Sequence, residues 1–150
     1  KLKFAGGAAL FGKYVGNWGG EAVRWRFDAR RDGKVVASVL KTPSCRLHIE
    51  ATPSSLTLRE GGTYDMAAVR IRILDENGNL ASYAQLPIAF ALSGPAELIG
   101  PSSAAAEGGM TGTYLKTSGQ SGQAELIISS PQTDSVRLIF NITGEDASNE

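Results

Sequence analysis

The side chains with most capacity for catalysis in this sequence are its carboxylates, nine glutamates and six aspartates. Hydrolysis of a glycosidic bond uses two carboxyl groups about 5–10 Å apart, one of them with a pKa raised by burial. The glutamates within or beside the patterned segments instead take outward positions or lie in loops; they are Glu50, Glu60, Glu97, Glu107 and Glu125. This placement indicates solvated carboxylates, and the sequence assigns no catalytic residue.

Nucleophilic hydrolysis and zinc binding both depend on histidine and cysteine, and the chain has one of each. A serine or cysteine nucleophile needs a histidine base beside it. Alternation along residues 45–51 places His48 on the outward side and Cys45 on the opposite side. This predicts an exposed strand histidine and a small core cysteine. A structural zinc site takes about four cysteine or histidine ligands, which this sequence cannot supply.

Two short segments resemble ligand-binding loops but lack essential positions. Residues 7–13 match the first seven positions of the phosphate-binding loop, but the eighth, which must be serine or threonine to hold magnesium, is Tyr14. The segment is therefore predicted to be a glycine-rich loop. Residues 75–79 offer oxygens to calcium, but Gly78 comes too early for an EF-hand loop. The residue types at 75–79 are those that form turns through side-chain hydrogen bonds to the backbone. Neither segment therefore indicates a metal or a cofactor.

Aromatic side chains are the remaining candidates, because sugars stack on exposed rings. The outward aromatic residues are scattered along the chain: Tyr14, Trp18, Tyr83 and Tyr114. Trp25 alternates with Val23 and Phe27, which places it in a core. Packing and capping roles are favoured for most of these rings, and the candidate sugar contacts are Trp18, Tyr83 and Tyr114.

The overall composition is that of a folded domain without electrostatic bias. The 150 residues are 42% hydrophobic and 20% charged, with fifteen basic and fifteen acidic side chains. Zero net charge removes the attraction that supplies most non-specific affinity for nucleic acid. No apolar run reaches the roughly 20 residues that span a bilayer. We expect no nucleic-acid or membrane partner, and the single cysteine leaves the compartment open.

Alternation of apolar and polar residues, interrupted by turns about every ten residues, predicts an all-β protein. About seven short strands are expected between Cys45 and Ile142, the pattern of an immunoglobulin-like antiparallel β-sandwich. Residues 96–109 have no clean period and are predicted to be a long loop with one short strand at 97–99. No apolar stripe of helical period stands out.

The same pattern divides the chain into three parts. Residues 44–143 form the predicted sandwich, and residues 144–150 form a polar tail. Residues 1–43 hold one convincing hairpin, at about 22–40, whose turn is Asp32-Gly33. A lone hairpin is marginal in water, so this part is expected to be the remnant of a preceding β-sandwich.

Parts of the chain resemble two known families. Residues 51–58, 69–79 and 117–130 resemble the bacterial immunoglobulin-like modules of invasin-type adhesins. Residues 88–101 and 108–117 resemble more specifically the C-terminal β-sandwich of glycoside hydrolase family 2 enzymes of the β-galactosidase type. The hairpin, with Arg24-Trp25-Arg26-Phe27 and residues 32–37, is similar to the last strands of the sandwich that precedes it in those enzymes.

The second resemblance implies a non-catalytic C-terminal module of a bacterial β-galactosidase-type enzyme, with a structural or substrate-shaping role. In that family the catalytic glutamates belong to a barrel that this sequence lacks, so no catalytic residue, metal or cofactor is carried over. Lys1 in place of a methionine is what a piece of a longer chain would show. The implied partners are the other domains of the parent glycosidase and an oligosaccharide substrate. The alternatives are a cell-surface adhesin spacer and a carbohydrate-binding module.

Overall fold

A computed structural model describes residues 3–14, 24–43 and 46–144. The chain divides into two units, Lys1–Pro43 and Ser44–Glu150. The candidate contact Trp18, the core candidate Cys45 and all but the first residue of the predicted polar tail lie outside the described residues.

The first unit begins with a helix, α1 (Phe4–Tyr14), so the prediction of a glycine-rich loop at residues 7–13 is wrong. Alanine and leucine have high helix propensity and outweigh the cost of the glycines. The residues through Gly12 are nearly all apolar or glycine, so no 3.6-residue stripe marks the helix. No helix in the described part of the chain is long and apolar enough to cross a membrane.

The first unit also contains an antiparallel hairpin of β1 (Trp25–Arg31) and β2 (Lys34–Lys41). The two turn residues, Asp32 and Gly33, have φ angles of 50° and 76°. Positive φ at both central positions defines the tight turn whose twist matches a hairpin.

The second unit is an all-β sandwich of two sheets, which confirms the predicted fold class. Within residues 46–144 it has nine strands: β3 (Leu47–Pro53), β4 (Thr57–Glu60), β5 (Met66–Asp75), β6 (Leu86–Ser93), β7 (Ala96–Ile99), β8 (Ser103–Ala106), β9 (Met110–Thr117), β10 (Gly122–Ser130) and β11 (Thr133–Gly144). The five-stranded sheet has the order β4-β11-β10-β6-β8 and the four-stranded sheet the order β3-β5-β9-β7. All neighbours are antiparallel except β4 and β11, which are parallel.

The predicted number of about seven strands is too low, and residues 96–109 are not one loop. They hold the expected β7 and also β8, a run of serine and alanine. Small residues have little intrinsic preference for strands. Pairing with β6, Leu86 with Ala106 through Ala89 with Ser103, decides the conformation of β8, and a pattern within one segment cannot reveal such pairing.

The core lies between the two sheets and is built from every second residue of the long strands. The largest fully buried side chains are Phe140, Leu58, Ile71, Ile73, Ile88, Leu115, Leu126, Ile128 and Val69. The predicted inward faces of β5 and β10 are confirmed, and in β11 Phe140 and Ile142 are buried whereas Val136 and Leu138 are only partly buried.

Candidate functional site

Three glutamates of the sandwich form surface ion pairs. Glu50 receives a hydrogen bond from Arg72 at 3.1 Å, and Glu97 lies 3.3 Å from the Lys116 amine. Glu125 pairs with Arg137 across β10 and β11. Each pair joins neighbouring strands on an outer face, where exposed ion pairs contribute about 0–1 kcal/mol. These carboxylates have the solvated positions that the alternation predicted.

Two carboxyl groups have pKa values lowered below their ordinary range. Hydrogen bonds from Ser38 and Arg26 lower the pKa of Asp28, and hydrogen bonds from Thr117 and the Gly119 amide lower the pKa of Glu60. Each donor stabilises the charged form. A general acid in glycoside hydrolysis needs the opposite shift, because its proton must be held near neutral pH.

Residues 75–79 form a closed turn. One carboxylate oxygen of buried Asp75 accepts hydrogen bonds from the backbone amides of Asn77, at 2.9 Å, and Asn79, at 2.8 Å. The Asn79 side-chain amide donates to its second oxygen at 3.0 Å. This is the turn chemistry that the residue types predicted. Residues 3–14, 24–43 and 46–144 contain no group of three acidic, histidine or cysteine side chains arranged to hold a metal.

The outer face of the four-stranded sheet carries the best-placed aromatic residue, Tyr114. Tyr114 lies in β9 opposite Ala68 of β5 and Ile99 of β7, and 51% of its surface is exposed. Two residues earlier in β9, at the next position on the same face, Gly112 lies opposite Arg70 of β5. Residues that pair directly project from the same face, so Tyr114 and Arg70 share an outward surface with Ala68, Gly112 and, on the β7 side, Ile99, which is 40% exposed.

A shallow depression of about 200 Å³ lies on this surface, and Arg70, Gly112 and Tyr114 are among its lining residues. Gly112 keeps it open, because a Cβ atom there would lie 2.9 Å from the Val69 carbonyl oxygen. Arg70 forms no ion pair within the part of the chain that the structure describes. A ring face and a free guanidinium therefore border one open concavity.

A second ring, Tyr64, reaches the same outer face. The Lys116 amine lies 5.4 Å from the centre of the Tyr64 ring, within the range of a cation–π interaction. Lys116 is two residues from Tyr114 on β9, about 7 Å along the strand. Tyr64 is 57% exposed. We call the set Tyr64, Arg70, Gly112, Tyr114 and Lys116 the tyrosine face.

Sequence reasoning missed Tyr64 and did not group the other candidates. Tyr64 lies in the connection 61–65 between β4 and β5, where no periodicity assigns a direction. Tyr83 is 66% exposed and lies in the connection between β5 and β6. His48 is exposed on β3, as predicted. Whether Tyr83 or Tyr114 contacts sugar stays a prediction.

The hairpin of the first unit has one apolar face. Phe27 pairs with Val39, and Ala29 pairs with Ala37. Trp25 continues the row, and these five residues form what we call the hairpin apolar face. Trp25 is 43% exposed, Phe27 58% and Val39 42%. Exposed apolar residues clustered in this way mark contact surfaces.

The opposite face of the hairpin holds a hydrogen-bonded polar cluster beside the apolar Leu40, which pairs with Arg26. The Arg26 guanidinium donates to Asp28 at 2.8 Å, and the Ser38 hydroxyl donates to the same carboxylate oxygen at 2.6 Å. This face is the more polar of the two, as expected for the solvated face of a sheet.

The fold defines the class of protein: the second unit is a two-sheet, immunoglobulin-like β-sandwich with an apolar interior. Comparison with known families then gives a specific assignment. The family glycoside hydrolase family 2 C-terminal domain 5 matches residues 49–139, more than half of the chain. The chain belongs to this family, which confirms the resemblance seen in the sequence.

Two relatives are named β-galactosidase. One, from Rhizobium radiobacter, is 29% identical over 136 residues, which are 85% of this chain and 93% of the relative. The other, from Thermoanaerobacter pseudethanolicus, is 30% identical over 94 residues, or 61% of this chain, but only 12% of that protein.

Solved structures share the fold. A β-glycosidase from Bacteroides vulgatus superposes with a TM-score of 0.65 at 18% identity, over 81% of this chain and 17% of that one. A glycosyl hydrolase family 2 member from Bacteroides cellulosilyticus gives a TM-score of 0.65 at 13% identity and is also covered to 17%. The chain thus spans about a sixth of the length of these two proteins.

Proposed function

We propose that this chain is a non-catalytic module of a bacterial family 2 glycoside hydrolase of the β-galactosidase type, with a structural or substrate-shaping role. The observation that carries the proposal is the state of its carboxyl groups. Glu50, Glu97 and Glu125 form surface ion pairs, and hydrogen bonds lower the pKa values of Asp28 and Glu60, which favours their charged forms. The names of the two relatives support the substrate class. An adhesin spacer and a carbohydrate-binding module are the alternatives.

The first expected result is that the purified 150-residue chain does not hydrolyse a chromogenic β-galactoside. Among the described residues, no carboxyl group is both buried and free to donate a proton to the glycosidic oxygen. The β-galactoside should therefore be hydrolysed only at its uncatalysed rate. The assay is release of the chromophore at neutral pH over hours at high protein concentration.

Contaminating enzyme is the main alternative source of turnover in that assay. Glu50→Gln and Glu97→Gln provide matched controls, since they remove the most exposed paired glutamates. Turnover that survives repurification and disappears in one of these variants would contradict the proposal.

We further propose that residues 1–43 belong to a preceding β-sandwich and that another domain of the parent glycosidase covers the hairpin apolar face. Trp25, Phe27 and Val39 lie in one row and are exposed in this chain. A two-stranded hairpin gains stability only by packing such a face. The covering surface should itself be an apolar β-sheet face, since sheets pack face to face about 10 Å apart.

A shortened chain of residues 44–143 should therefore fold by itself, with a single cooperative transition and nearly the denaturation midpoint of the full chain. The reason is that the core residues of the sandwich all lie at or after Ile49. Chemical denaturation followed by circular dichroism measures both chains. Absence of a cooperative transition in the shortened chain would show that the hairpin is an integral part of one larger fold.

A further inference from the structure

We propose that the tyrosine face binds an acidic oligosaccharide. A sugar ring stacks on Tyr114, and its carboxylate or sulfate group pairs with Arg70. This inference goes beyond the proposed function and does not depend on the chain being part of a galactosidase.

The stacking site follows from the surroundings of the Tyr114 ring. Tyr114 lies in the middle of β9, between neighbouring strands on both sides. Its partner on β5, Ala68, is small, and Gly112 precedes it on the same face. Its partner on β7, Ile99, is large and 40% exposed, so the half-exposed ring is open on the β5 side and continues into an apolar surface on the β7 side. The apolar face of a pyranose buries that surface at little cost in side-chain entropy, since tyrosine has two side-chain torsions.

The charge of the ligand follows from the ion pairs around the depression. Arg72 is neutralised by Glu50, and Lys116 by Glu97. Arg70 is the cation that remains without an acidic partner among the described residues of this face. A guanidinium binds a carboxylate or sulfate through two parallel hydrogen bonds. A neutral sugar offers only hydroxyl groups at that position.

The length of the ligand follows from the second ring. The Lys116 amine lies over the Tyr64 ring, which places Tyr64 on the tyrosine face beside β9. A ligand seated on Tyr114 and extended past Lys116 meets Tyr64, so a chain of several sugar units should bind better than a single one. The depression beside Tyr114, about 200 Å³, is of a size for one ring rather than for a protein side-chain cluster.

The test is isothermal calorimetry on the full 150-residue chain with trigalacturonate and with neutral galactotriose. At low salt, trigalacturonate should bind at least about tenfold more tightly, equivalent to about 1.4 kcal/mol. Arg70→Ala should bring the ratio of the two affinities close to one, and Arg70→Lys should keep part of it. Tyr114→Ala should weaken both ligands about tenfold, whereas Tyr114→Phe, which keeps the ring, should bind like the unchanged protein.

Ile127→Ala is the control, because it removes an exposed apolar side chain from β10 of the other sheet, outside the tyrosine face; it should bind like the unchanged protein. Denaturation midpoints establish that each variant is folded. Equal affinity for the acidic and neutral trisaccharides would overturn the proposal, and so would binding that Tyr114→Ala leaves unchanged. Hydrolysis is measured in a separate assay, so neither result of the binding experiment decides whether the chain is catalytic.

Discussion

Phe140→Ala is expected to lower the free energy of unfolding by about 3–5 kcal/mol, the range for truncating a large buried aromatic side chain. Phe140 is fully buried in β11, opposite Ala124 of β10. Alanine at its partner position leaves little side chain to collapse into the space, so a cavity remains. Chemical denaturation at equilibrium measures the difference through the transition midpoint and slope.

Arg137→Ala, on the same strand, is the matched control. Arg137 projects from the outer face with 66% of its side chain exposed, and its partner is the partly buried Glu125, 28% exposed. A surface ion pair of this kind contributes less than about 1 kcal/mol. If the two variants lose similar stability, the assignment of β11 residues to inner and outer faces is wrong.

Gly94→Ala is expected to cost about 2–6 kcal/mol, because a strained backbone, at about 1–3 kcal/mol, combines with overpacking of similar size. Gly94 is the first residue of the turn after β6 and has a φ of 91°. An added Cβ atom would lie 2.3 Å from the Gln123 carbonyl oxygen and 2.8 Å from the Ala124 Cα. Both contacts are with the backbone of β10, which cannot move without breaking its pairing with β6.

Gly119→Ala separates these two contributions. Gly119 has a φ of 87°, and nothing lies within 4 Å of an added Cβ atom there. The loss of stability in Gly119→Ala therefore measures the backbone strain alone. Thermal or chemical denaturation of both variants should show a clearly larger loss for Gly94→Ala, and equal losses would mean that the approach of β10 to this turn is looser than described.

The long strands of the sandwich could be predicted because the alternation of apolar and polar residues within each strand shows which side chains face the core. Val69, Ile71 and Ile73 of β5 are buried as that pattern required. The missed elements depend on information outside their segments. β8 is a strand because β6 offers it a partner. The helix α1 has almost uniform apolarity, so a method based on periodicity had nothing to detect.

The candidate site was predictable only one residue at a time. Alternation placed Tyr114 outward, which is a property of its own strand. Its association with Arg70 depends on the pairing of β9 with β5, which a single strand does not encode. Tyr64 was missed because it lies in a connection, and its place on the tyrosine face is set by the distant Lys116.

The parallel pairing of β4 with β11 has a consequence for how this chain is made. Thr57 pairs with Asn141, so the two partners are 84 residues apart in sequence. At a synthesis rate of about 5–20 residues per second, β4 leaves the ribosome roughly 4–17 s before its partner strand is complete. Throughout that interval the buried side of β4, Leu58, has no sheet to join. The sandwich therefore closes only as its last strand emerges, and a nascent chain stalled before β11 would present an open apolar interior to chaperones.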